Sequence, residues 1–292
     1  MTTLPTTSRE VGVRGALLDV LHAQWRDLGV PFESPLDGAH GAGHGSEGST
    51  RPVEVIDPEA LLWCSFAFFG EEPRLEEGVR SWFAANRPRI NTQRLNTLAR
   101  RHAEDPAESA RIAAWRSLAE EPRQGTRPHV GEVAPGAASL HLRSRDVLGN
   151  GCGAFLLVTL LGSPRGARLR DVARATGYAY RSIADVATGW ARAGLVRFER
   201  GFCTLLDPSP WTRILRCEPT QVVTVDWQAA YAAVIGLLRQ LERARAAQLA
   251  DGHPLVASAA ATAESTLRDA AAGLASGQAP AIDLLCRAIR GG

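Results

Sequence analysis

Residues 153–206 read GAFLLVTLLGSPRGARLRDVARATGYAYRSIADVATGWARAGLVRFERGFCTLL. The apolar run Ala154–Leu161 reads as a helix, and Ser163-Pro164-Arg165-Gly166 as the turn that ends it. Leu169–Ala175 follows as a short helix with Leu169, Val172 and Ala173 inward. Gly177 suits the tight turn after it, because glycine tolerates positive φ. Tyr180–Ala193 reads as a longer helix with Ile183, Val186, Ala187 and Trp190 inward, and Gly194 closes it. Leu195–Phe198 and Phe202–Leu206 are β-runs around a Glu199-Arg200-Gly201 hairpin tip.

This stretch lies in a basic segment. Residues 143–216 carry 12 arginines against five acidic residues, a net of +7, whereas the rest of the chain carries 21 against 26, a net of −5. The formal total of +2 conceals that asymmetry, which points to a polyanion as partner for the segment. The order helix, short helix, glycine turn, helix, hairpin resembles the winged helix-turn-helix of bacterial transcriptional regulators of the ArsR and MarR type. The matching residues are Asp171-Val172-Ala173, Gly177, Ile183 and Gly194-Leu195-Val196. The resemblance covers roughly a fifth to a quarter of the chain and does not select one family; no metal-sensor Cys-x-Cys box is present.

The resemblance implies binding of double-stranded DNA, with the helix 180–193 in the major groove, its first turn nearest the bases, and the wing 195–206 on backbone or minor groove. Tyr180, Arg181, Ser182 and Asp185 then face out, and the Arg181 fork matches guanine O6 and N7. Tyr178 and Ser182 suit phosphates. Arg168, Arg170 and Arg174 lie where the DNA backbone passes, and Arg197 and Arg200 sit on the wing. For any one arginine the plain alternative is a solvated charge paired with Asp171, Asp185 or Glu199.

Outward from this segment the chain reads as helical. Its 292 residues suggest two or three domains, and 45% apolar residues suffice for packed cores. An N-terminal helix occupies 10–28 within a region 1–36, with Val13, Leu17, Leu21, Trp25 and Leu28 on one face. Residues 37–56 read as a loop, since Asp37–Thr50 has nothing to bury, and its Gly-rich flanks argue against a metal pair at His40 and His44. Residues 57–121 form a helical bundle. Asp57-Pro58-Glu59 opens Ala60–Phe69, Pro73 opens a helix to Ala85, and Asp105-Pro106 opens one carrying Ile112, Trp115 and Leu118. Asn91-Thr92 opens another, with Leu95 and Leu98 inward and Arg94, Arg100 and Arg101 outward.

Residues 122–142 read as a linker and 217–292 as a C-terminal helical region. Val222–Val225 is strand-like and Asp226 caps a helix to about Ala250. Its Trp227, Tyr231, Val234, Leu238 and Leu241 form a heptad seam, while Ile235 and Leu237 broaden the apolar face. The seam fits an intramolecular bundle or a homodimer through 226–250. Leu255–Ala275 and Ala281–Ile289 read as two further helices. The fold class expected is therefore mainly α: a central winged helix-turn-helix, three helices plus a β-hairpin, flanked by helical domains.

All 33 basic residues are arginine, which removes phosphate loops, Schiff bases and kinase chemistry that need a lysine amine. Gly149-Asn150-Gly151-Cys152-Gly153 lacks the spacing of a dinucleotide fingerprint and reads as a helix entry. Five scattered cysteines without C-x-x-C, and no secretion signal, point to reduced thiols in the cytoplasm. Cys152, Cys203 and Cys217 read as inert rather than as a sensor. No apolar run reaches the ~20 residues of a membrane span. The expectation is a non-enzymatic transcriptional regulator with no metal or other cofactor. The alternatives are a protein-interaction adaptor, or an antitoxin-like partner, built on a winged helix.

Overall fold

The computed structural model describes residues 7–32, 53–101, 105–121, 136–218, 222–272 and 279–291. The loop Asp37–Thr50 with His40 and His44, residues 122–135 of the linker, residues 273–275 and the side chain of Arg101 lie outside them.

The described residues are mainly helical, with two small sheets. The N-terminal helix is α1 (Ser8–Asp27), which Thr7 caps by accepting from Glu10 N–H. The bundle comprises α2 (Pro58–Ser65), α3 (Pro73–Asn86), α4 (Thr92–Arg101) and α5 (Ser109–Glu120). Asp57 opens α2 by accepting from the backbone of Glu59 and Ala60 at 3.1 Å, with Pro58 at the first helical position. The α-helix stops at Ser65, short of the expected Phe69, and one 3-10 turn, Phe66–Phe68, follows. A 3-10 turn, Pro106–Glu108, likewise precedes α5.

The C-terminal helices are α11 (Trp227–Ala246), α12 (Pro254–Ala272) and α13 (Pro280–Arg290). They do not form a region of their own. α1 lies against α11 and α13, and α2 lies against α11, so one hydrophobic core runs through Leu17, Trp25, Phe66, Trp115, Trp227, Leu267 and Leu285. Two polar pairs lie within that core: Trp25 Nε1 donates to Ser65 Oγ at 2.9 Å, and the Tyr231 hydroxyl donates to Gln24 Oε1.

Three sequence expectations change here. The strand β1 (Val53–Val55) falls inside the stretch read as loop 37–56 and pairs in parallel with β5 (Val222–Thr224). Two three-residue strands far apart in sequence carry no period of their own, and Trp227 Nε1 fixes β1 by donating to Val55 O at 2.8 Å. The expected linker 122–142 ends in a helix, because α6 (Leu140–Leu148) starts within it and buries Leu140, His141 and Leu142. The seam Trp227, Tyr231, Val234, Leu238 and Leu241 is wholly buried within the chain, as are Ile235 and Leu237. It is therefore the core of this body and not a face open for a homodimer through 226–250.

Residues 152–205 make a smaller unit with its own core around Leu156, Leu160, Leu169, Val172, Ile183, Ala187 and Val196. Its elements are α7 (Cys152–Gly162), β2 (Ala167–Arg168), α8 (Leu169–Thr176), α9 (Tyr180–Arg192), β3 (Val196–Glu199) and β4 (Phe202–Leu205). The hairpin β3–β4 gains a third strand, since β2 adds antiparallel to β4 and gives the order β2-β4-β3. A further short helix, α10 (Ser209–Leu215), closes the basic segment.

Candidate nucleic-acid interface

The turn from α7 to β2 needs glycine at 166. Its φ is +90°, and a Cβ there would stand 2.5 Å from Cys203 O on β4. That close approach lays β2 on the hairpin and leads the chain directly into α8. α8 ends at Gly177, where φ is +72° and its N–H donates to Ala173 O at 2.9 Å. α9 then crosses α8, with Ile183 and Ala187 fully buried and Val186 and Trp190 half-buried. The hairpin tip is a two-residue loop in which Arg200 and Gly201 both have positive φ, the backbone of a tight type I′ turn.

Three parts of the unit meet at one edge. Leu169 N–H, at the start of α8, donates to Gly201 O at 2.9 Å. The Tyr180 hydroxyl, on the first turn of α9, lies 3.4 Å from where a Cβ on Gly201 would stand. The starts of α8 and α9 and the hairpin tip therefore share a border. Arg168 and Arg170 flank the start of α8, Tyr180, Arg181 and Ser182 form the first turn of α9, and Arg200 is at the tip; all six are exposed. Arg197 stands on the outer face of β3, and Asp185 lies one turn along α9, both exposed. Among the described residues Arg168, Arg170, Arg181, Arg197 and Arg200 make no ion pair, so pairing with Asp171, Asp185 or Glu199 does not account for them.

Two expected contact residues touch the helical body. Tyr178, read as a phosphate contact, packs inward: its hydroxyl receives Asn91 Nδ2 at 2.7 Å and its ring lies 5.6 Å from that of Phe155. Burial pushes its hydroxyl up to about 12, so it stays a neutral phenol. Arg174 lies 3.7 Å from Asp226 at the head of α11, a long ion pair with the body, while its side chain stays 58% exposed. The thiols of Cys152, Cys203 and Cys217 are raised above their ordinary value by burial, Cys203 to about 11, which leaves little thiolate for sensing. The Gly149–Gly153 stretch leads from α6 into α7, with no strand before it.

Sequence reasoning missed the cluster behind Tyr178. Arg94, expected outward, is buried, its guanidinium held by Asp57 at 2.5 Å and by Glu59 at 2.9 Å. Glu59 also takes Arg145, from α6, at 2.6 and 2.7 Å. Both guanidiniums lie over the Phe155 ring of α7, at 4.6 and 5.1 Å. A signal for Arg94 existed: it stands beside Leu95 and four residues before Leu98, on the inward stripe of α4. His141 sits beside the cluster, held neutral well below its ordinary value by burial and then by Arg145 and Arg94. The cavity next to it, between Asp57, Phe155, Thr159 and Thr224, is about 20 Å³, the size of one water.

Among the described residues no helix is long and apolar enough to cross a membrane. Comparison with protein-family models, with curated proteins and with solved structures finds no match to this chain.

Proposed function

We propose that this chain is a sequence-specific regulator that binds double-stranded DNA through a winged helix-turn-helix within residues 143–216. α7, α8 and α9 take the places of its three helices, β2 pairs with the hairpin, and the hairpin is the wing. The observation that carries the reading is the shared edge: Arg168, Arg170, Arg181 and Arg200 stand exposed around the starts of α8 and α9 and the hairpin tip, with Arg197 exposed on β3, and none of the five makes an ion pair among the described residues. A solvated surface disperses its charges and pairs many of them, whereas a phosphate-binding surface keeps guanidiniums open for oxygen ligands. In this reading α9 enters the major groove, Arg181 forks onto a guanine, and Ser182 and Asp185 border the same bases. Arg168, Arg170, Arg197 and Arg200 meet phosphates, Arg200 at the tip also being placed for a narrow minor groove.

Titration of the full chain against labelled duplex at rising salt tests it. Neutralising four phosphates releases their counterions, so affinity should fall by about two powers of ten for a fourfold rise in salt. The second reading, a protein-interaction adaptor, draws on Leu195 and Leu206, which remain exposed at the hairpin base where Leu206 N–H donates to Leu195 O. No duplex binding at low salt puts that reading forward.

Within the DNA reading, Arg181 and Arg200 differ in kind. Arg181→Ala should lose about 1–3 kcal/mol against one base position and leave other sequences little changed. Arg200→Ala should weaken all duplexes alike and flatten the salt slope by about one. Equal losses on selected and random duplex for Arg181→Ala would remove its base-reading role.

A further inference from the structure

The turn between α8 and α9 is gripped from outside its own unit. α8 ends in the Thr176 carbonyl, which lies beyond the reach of the helix's own N–H groups. Arg94 Nε donates to that oxygen at 2.6 Å and Gln228 Nε2 at 3.1 Å. Arg94 belongs to α4 and Gln228 to α11, so two separate helices of the body converge on one backbone atom. Two residues on, Asn91 Nδ2 holds the Tyr178 hydroxyl. Gly177 closes the helix end only in part, by donating to Ala173 O, so the Thr176 carbonyl takes its partners from the body.

Arg94 cannot follow the turn if the turn moves. Asp57 takes two of its nitrogens, Glu59 takes one, and Arg145 holds Glu59 from the far side. The guanidinium is a fixed peg, and its partial match to the negative end of α8 favours one placement of the turn. The same turn sets where α9 begins, and α9's first turn borders the hairpin tip at Gly201.

We propose that Arg94 is a positioning residue for α9: it pins the α8–α9 turn to the helical body, so that the reading edge is presented at one angle and a shift of α4 or α11 changes sequence discrimination. This rests on the DNA-binding reading above. Discrimination depends on placing a few base-edge contacts closely, whereas phosphate attraction tolerates a change of angle. Loss of the grip should therefore lower specificity and spare sequence-independent binding.

The test uses the full chain. Arg94→Lys keeps a positive charge beside Asp57 and Glu59, but an ammonium on a flexible stem cannot span two carboxylates and the Thr176 carbonyl together. Gln228→Met removes the second donor from a half-buried side chain and alters no charge. The parent first selects a preferred duplex from a random pool; each variant is then compared on that duplex and on a scrambled one, with amide hydrogen exchange followed over residues 177–183. The expected result is a specificity ratio lowered by about tenfold, the size of one base-edge contact, with scrambled-duplex binding at low salt retained. Exchange should quicken in residues 177–183 and not in α12. If Arg94→Lys does not fold, Gln228→Met decides alone. Variants that melt like the parent and discriminate as well as it does would overturn the positioning role alone. A parent that binds no duplex would instead overturn the DNA reading and the role with it.

Discussion

Glu59→Ala should cost the chain about 3–5 kcal/mol, the penalty for removing one partner of a buried ion pair. The Glu59 side chain is 0% exposed and its carboxylate receives four hydrogen bonds: Arg94 at 2.9 Å, Arg145 at 2.7 and 2.6 Å, and the Asn91 N–H at 2.8 Å. Alanine leaves Arg94 with Asp57 and strips Arg145 of the carboxylate it pairs with, an uncompensated positive charge in a poorly solvated site. A domain's total stability is about 5–15 kcal/mol, so the loss is a large fraction of it. In thermal and urea melts the transition should move sharply down, on the order of 10 °C in temperature. Because the cluster ties α2, α4 and α6 to Phe155 of α7, the small unit and the body should loosen together. An unchanged melt would show that the cluster carries no net stability.

The double substitution Leu238→Asp and Leu241→Asp should abolish the cooperative melt. Each buried leucine lost costs about 2–5 kcal/mol in transfer and cavity terms. Two carboxylates in the same apolar interior add several kcal/mol more, or are forced to protonate. The sum meets or exceeds the whole stability of a domain of about 5–15 kcal/mol. Leu238 and Leu241 lie with Tyr231 and Val234 in the core shared by α1, α2 and α12, so there is no assembly interface whose loss would leave a folded chain behind. Circular dichroism and light scattering on the variant check this. A well-folded variant that has changed only its oligomeric state would show that the seam joins chains instead of filling the core.

Much of the helical architecture was legible because its signals are local. Asp57-Pro58 and Asp226 announce helix starts within three residues, through side chains that accept backbone N–H bonds. Gly177 marks the turn between α8 and α9 through positive φ, a conformation that other residues adopt at a cost. Arg200-Gly201 marks the hairpin tip in the same way. The exposed positions on the first turn of α9 followed from its helical period once Ile183 and Ala187 were placed inward. The strands β1 and β2 were harder, since two or three residues are too few to show alternation; β5 read as strand-like from Val222–Val225, but its distant parallel partner did not show.

The amino-acid sequence by itself determined most helix starts, the apolar stripes of α1, α9 and α11, and that residues 143–216 concentrate positive charge. Only the tertiary structure decided what those faces meet. A 4-3-4-3 apolar seam looks the same whether its neighbour is another chain or α1 and α12 of its own, because periodicity records burial and not the identity of the partner. Tyr178 could equally have met phosphate, and only the placement of Asn91 turns it to the body. Arg94 differs from the exposed Arg181 in nothing that composition reveals. Its burial is paid for by Glu59, 35 residues away, and held in place by Arg145, 86 residues from that carboxylate. A buried charge is tolerated only where the fold assembles its partners, and that assembly exists only once distant segments have packed together.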